Sequence, residues 1–176
     1  MSCCNGCCDT TIHQGVITFQ GNPMTLEGTI NRIGLEAPDF TALKNDLTPA
    51  RLSDYLGKRV LISVVPSLDT GVCDMQTRRF NTEASKLANV QILTISMDLP
   101  FAQARWCGAA GVRNLLTLSD HKAADFGFKY GLLIKELRLL TRAVLVVDEK
   151  GKLIYQEIVS EVADHPDYDK ALAAIG

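Results

Sequence analysis

Hydrophobic residues fall along this chain in short runs whose period shifts between that of a strand and that of a helix. Residues 16–20 and 24–28 alternate apolar and polar on either side of Gly21-Asn-Pro23, which predicts a β-hairpin turning at that cluster. Residues 1–15 carry no apolar periodicity and read as a disordered head. A looser section over 37–52 holds a short strand candidate at 39–43, and 53–57 reads as a helical turn ending at Gly57.

From there strands and helices alternate. Residues 60–65 are continuously apolar, as expected of a strand buried on both faces. A helix is expected from Cys73 to about Ala88, with Phe80, Ala84, Leu87 and Ala88 on one face. Residues 90–96 form a second strand, and 101–107 a short helix with Pro100 suited to its first turn. A brief strand at 115–118 and a helix at 122–130, closed by Gly131, come next. Strands at 143–147 and 152–158 flank the hairpin signal Asp148-Glu-Lys-Gly151, and 167–175 makes a terminal helix. This order predicts one α/β domain over 16–176, a mixed sheet with helices on both faces and an N-terminal β-hairpin. No repeat, linker or second domain stands out.

Composition narrows the partners. The net charge of −2 and the lack of a basic block argue against a nucleic-acid or anionic-membrane surface. No run reaches the roughly 18 apolar residues of a membrane span. The start lacks the basic and apolar stretches of a secretory signal, so a cytoplasmic location is expected, although a form with its signal removed would look the same.

Candidate chemistry centres on cysteine. Cys73 follows an apolar strand and opens a helix, where unpaired backbone N–H groups carry partial positive charge and favour a thiolate. Read alone, Cys73 and Cys107 could equally be inert core thiols. Cys3, Cys4, Cys7 and Cys8 crowd the head in a Cys-Cys-x-x-Cys-Cys arrangement. Three readings stay open for them: a tag resembling tetracysteine dye-capture sequences, a soft-metal or thiol-reactive site with His13 within reach, or an untuned cysteine-rich tail. His121 and His165 are isolated and expected at the surface.

Pro66, Thr70 and Cys73 form Pro-x-x-x-Thr-x-x-Cys, which resembles the active-site signature of the peroxiredoxins. Phe19-Gln-Gly-Asn-Pro23, Asp69-Thr-Gly-Val-Cys73, Asp98-Leu-Pro-Phe-Ala-Gln103, Cys107-Gly108, Arg142-Ala-Val144 and Pro166-Asp-Tyr168 resemble, in order, the thiol peroxidase branch. The resemblance implies a thioredoxin-like fold and reduction of hydrogen peroxide or organic hydroperoxides. It implies that Cys73 is the peroxidatic nucleophile, that Thr70 hydrogen-bonds with thiolate and peroxide, and that Pro66 shields the pocket from water. Arg142 would supply the cation that keeps the thiol ionised and holds the peroxide oxygens. Cys107 would be the resolving cysteine, forming an intrachain disulfide with Cys73 that thioredoxin reduces. A disulfide needs Cα atoms about 4.4–6.8 Å apart, so cysteines on separate helices imply local unfolding during turnover. No metal or organic cofactor is implied, and a homodimer is expected.

Blander readings compete. Pro66 could simply end a strand, Thr70 could cap a turn, Arg142 could face solvent at a strand head, and Cys107 could be a buried inert thiol. Two other function classes also compete: a redox sensor using the same disulfide as a signal, and a disulfide reductase. The latter is weakened because Cys73 has no cysteine three residues away.

Overall fold

A computed structural model describes residues 11–176. The chain opens with β1 (Ile12–Phe19) and β2 (Asn22–Glu27), an antiparallel pair joined through Gln20 and Gly21. Both turn residues have positive φ, 51° and 77°, the mark of a type I′ hairpin. The turn therefore lies one step earlier than the Gly/Asn/Pro cluster, and Pro23 is already in β2 opposite Thr18. β1 also starts at Ile12, inside the stretch expected to be disordered. A bulge between His13 and Ile17, with Gly15 at φ 72°, breaks the alternation that would have betrayed the strand. His13 bonds the Gly28 carbonyl from this strand. The expectations for Cys3, Cys4, Cys7 and Cys8 lie outside the described residues.

The main body follows as β3 (Thr41–Leu43), β4 (Pro49–Arg51), a 3-10 turn (Leu52–Tyr55), β5 (Arg59–Val64), α1 (Gly71–Ala84), β6 (Val90–Ser96), α2 (Pro100–Ala110), β7 (Leu116–Ser119) and α3 (Asp125–Tyr130). It closes with β8 (Leu133–Ile134), β9 (Leu139–Leu140), β10 (Ala143–Val147), β11 (Leu153–Ile158) and α4 (Tyr168–Ile175). A seven-stranded mixed sheet has the order β11-β10-β5-β6-β7-β3-β4, with β5, β6 and β7 parallel. A second sheet, β1-β2-β8-β9, extends the expected hairpin by two strands too short to show a period.

Alternation on the central strands divides the core. Ala143, Leu145 and Val147 face a layer with Phe40, Phe126 and Tyr130, whereas Val144 and Val146 face Phe80, Ala171 and Ile175 from α1 and α4. Phe80 is fully buried, and its truncation to alanine would cost about 3–5 kcal/mol. α1 ends earlier than its apolar spacing suggested, because the chain turns after Ser85 and reaches a left-handed Asn89. α3 starts later than expected. Ala124 is left-handed, and the Asp120 carboxylate takes the N–H groups of Phe126 and Gly127. Among the described residues, no helix is long and apolar enough to cross a membrane.

Candidate active site

The loop from the C-terminal end of β5 into α1 carries Pro66, Thr70 and Cys73. Asp98, just after the neighbouring strand β6, fixes this loop. Its carboxylate accepts from Ser67 Oγ at 2.7 Å and Leu68 N at 2.8 Å, and also from Ser96 Oγ at 2.8 Å. The Thr70 carbonyl accepts the first α1 bond from Asp74 N, which places Cys73 in the first helical turn. Cys73 is fully buried against Val65, Leu68 and the half-buried Trp106.

Two donors converge on its sulfur. Thr70 Oγ1 lies 2.7 Å from Cys73 Sγ and 3.1 Å from the Ser67 carbonyl. With one hydrogen, the hydroxyl donates to one of these at a time. It makes no cap bond to the helix, so the purely capping reading of Thr70 is displaced. Arg142 Nη2 approaches Sγ to 3.2 Å from the head of β10.

Arg142 is only 2% exposed, which removes the reading of a solvent-facing strand terminus. Its other donors are committed: Nη1 to Gln76 Oε1 at 2.7 Å and Nε to the Val162 carbonyl at 2.8 Å. Gln76 is held in turn by donating to Ser63 Oγ at 2.8 Å. Among the described residues no carboxylate pairs with Arg142. A guanidinium is always charged, and burying it without a counter-ion is costly. The Cys73 sulfur completes the set of acceptors around this cation, beside the Gln76 side chain and the Val162 carbonyl.

A cavity of about 270 Å³ opens over this cluster, walled by Phe19, Pro66, Thr70, Leu139, Arg142 and Val162. Pro66 is buried in its wall, where it contributes apolar surface and no N–H. A larger cavity, about 490 Å³, lies against β3 and α3, but its carboxylates are already engaged. There Asp125 accepts from Thr41 N and Lys129 Nζ.

Cys107 stands apart. It is half-buried on α2, with Sγ 3.5 Å from Thr117 Oγ1 on β7, and both body cysteines are free thiols. Strands β5 and β6 separate β10, where Arg142 meets Cys73, from β7, where Thr117 meets Cys107. Cys73 opens α1 and Cys107 lies near the end of α2, whose Trp106 packs against the cluster that holds Cys73. Exposed Gly108 weakens the last turn of α2, which left-handed Gly111 closes by donating to the Cys107 carbonyl.

Sequence reasoning missed three side chains. Gln76 lies one turn after Cys73 on the same helix, so its spacing was a usable signal. Asp98 sat within a quoted motif without a role, and Glu161 gave no local sign. The histidines lie away from the cluster: His121 is half-buried against Ser119 Oγ, and exposed His165 meets the Tyr168 hydroxyl.

Comparison with known proteins yields matches over most of the chain. The Redoxin family profile covers residues 32–172. The thiol peroxidase of Oceanobacillus iheyensis is 62% identical over 157 residues, 89% of this chain and 96% of that protein. The thiol peroxidase of Bacillus subtilis is 58% identical over 158 residues, 90% and 95% of the two chains. A peroxiredoxin-like protein from Aquifex aeolicus superimposes with a TM-score of 0.86 at 35% identity, covering 93% of this chain and 97% of that one.

Proposed function

The chain belongs to the Redoxin family, in its thiol peroxidase branch, and from that membership we propose how its residues divide the work of a thiol-dependent peroxidase. The substrate is a hydroperoxide and the reductant a thioredoxin-type dithiol. Cys73 is the nucleophile. The observation that carries this assignment is the buried Arg142 guanidinium, which has no carboxylate partner among the described residues and lies 3.2 Å from Cys73 Sγ.

The Cys73 thiolate attacks the terminal oxygen of the hydroperoxide. An S–O bond forms as the O–O bond breaks, and sulfur is oxidised by two electrons to a sulfenic acid. The leaving alkoxide or hydroxide takes up a proton and departs as alcohol or water. Thr70 Oγ1 and the Arg142 guanidinium stabilise the sulfur anion and the charge that develops on the leaving oxygen. Pro66 keeps water from the sulfur.

The Cys107 thiolate then attacks the Cys73 sulfenic sulfur, forming the S–S bond and releasing hydroxide, which is protonated to water. The separation of the two sulfurs requires α1, α2 or both to unwind locally. Thioredoxin reduces the disulfide by thiol exchange, returning two thiols. A homodimer belongs to the same reading. It is supported by Leu99 and Phe101, 53% and 67% exposed at the start of α2 beside the Asp98 anchor. A cytoplasmic location belongs to the same reading.

One equivalent of hydroperoxide followed by peptide mass mapping tests the assignment. The expected products are a Cys73–Cys107 disulfide in the wild type and a trappable sulfenic acid on Cys73 in Cys107→Ser. Undiminished oxidation of the described residues in Cys73→Ser would falsify the role of Cys73. Steady consumption of peroxide with thioredoxin and its reductase separates the enzyme from a sensor, which oxidises once and stops.

A further inference from the structure

Glu161 lies outside the cluster around Cys73, yet its carboxylate gathers four donors. Oε2 accepts from Thr18 Oγ1 at 2.8 Å and Gly21 N at 3.0 Å. Oε1 accepts from Gln20 N at 3.0 Å and Ala163 N at 3.1 Å. These bonds, with Gly21 N–H foremost, pull the carboxyl down to about 2, so it remains ionised throughout an ordinary assay range.

Three of the donors belong to the tip of the β1–β2 hairpin. Gln20 there is a non-glycine residue at φ 51°, a left-handed conformation that persists only where its surroundings hold it. The backbone alone ties β1 to the 159–162 loop lower down, through Thr18 N to the Ser160 carbonyl and Val162 N to the Thr18 carbonyl. Glu161 adds the grip on the turn itself. Phe19 and Gln20, flanking and opening that turn, line the cavity above Cys73 opposite Pro66 and Thr70.

We propose that Glu161 is a specificity-setting positioning residue: by pinning the Gln20–Gly21 turn it holds Phe19 and Gln20 as the wall against which the organic group of a hydroperoxide rests. The inference rests on the peroxidase reading above and deepens it. Hydrogen peroxide carries no organic group and does not reach this wall, whereas a bulky hydroperoxide needs it in place. Two oxygens serve two pairs of donors, so Glu161→Gln keeps one acceptor oxygen and Glu161→Ala keeps none.

The test measures kcat and KM with hydrogen peroxide and with cumene hydroperoxide, using thioredoxin as reductant. For Glu161→Ala, the ratio of kcat/KM for cumene hydroperoxide to that for hydrogen peroxide falls about tenfold, mainly through KM. Glu161→Gln lies between this variant and the wild type. Phe19→Ala lowers the same ratio directly, and adding Glu161→Ala to it gives little further change, because both act on one wall. An equal loss for both peroxides would mean that Glu161 acts through Val162 and Arg142, and it overturns the proposal. An unmoved ratio in an active Glu161→Ala enzyme overturns it as well, while leaving the peroxidase reading intact. Wild-type protein inert towards both peroxides overturns that parent reading, and this inference with it.

Discussion

Arg142 Nη2 lies 3.2 Å from Cys73 Sγ although 69 residues separate the two in sequence. They meet because β10 runs antiparallel beside β5, with Ala143 opposite Val64, so the head of one strand faces the loop that leaves the other. Gln76 and the Val162 carbonyl hold the guanidinium in a fixed plane. Arg142 and Cys73 are therefore best understood as one pair.

Removing the cation should slow oxidation. For Arg142→Ala, the rate of Cys73 oxidation by hydroperoxide is expected to fall about a hundredfold or more. Arg142→Lys restores the charge without the fork of donors and falls between. Stopped-flow oxidation at one pH checks this, and an unchanged rate in Arg142→Ala removes Arg142 from the mechanism.

Thr70 separates shape from hydrogen bonding. Thr70→Val keeps the volume and loses the hydroxyl that sits 2.7 Å from Cys73 Sγ. A hydrogen bond to a charged group contributes about 1.5–3 kcal/mol, so kcat/KM for hydroperoxide should drop roughly 10- to 100-fold. Thr70→Ser retains most of the activity. Equal losses in both variants would show that the methyl group matters and the hydroxyl does not.

Asp120 gives a pH signature in stability, away from the chemistry. Burial pushes its carboxyl up to about 6, against the opposing N–H bonds from Gly127 and Phe126. The native state thus keeps its proton up to about pH 6, whereas the unfolded chain releases it near pH 4. This contribution is fully present below pH 4 and is lost as pH rises to 6, by roughly 2–3 kcal/mol. Asp120→Asn, neutral throughout, should lack that decline. Denaturant titrations of both proteins at several pH values between 4 and 7 decide it, and parallel slopes would contradict the assignment.

The long apolar runs of β5, β6 and β10 were legible because these strands are buried on both faces and need no partner to explain their composition. β8 and β9, two residues each, were not, since their pairing comes from Leu26, Glu27 and each other rather than from any period of their own. The early start of β1 was hidden by a bulge. At the site, Pro66, Thr70 and Cys73 were legible as a spacing within one loop and helix start. Arg142 and Cys107 came through family resemblance, and the structure brings the first to the sulfur while leaving the second on another helix. Glu161 works by contacts with residues some 140 positions away, so no local pattern could reveal it.

The position of Arg142 late in the chain also sets when Cys73 meets its cation. Synthesis runs from the N-terminus, and a nascent chain that has emerged only as far as α3 already carries Pro66, Thr70 and Cys73. It lacks the cation, the β10 strand that delivers it and the 159–162 loop that steadies it. On the proposed reading, completing the sheet and arming its nucleophile are one event, which spares an unfinished protein from oxidation at Cys73.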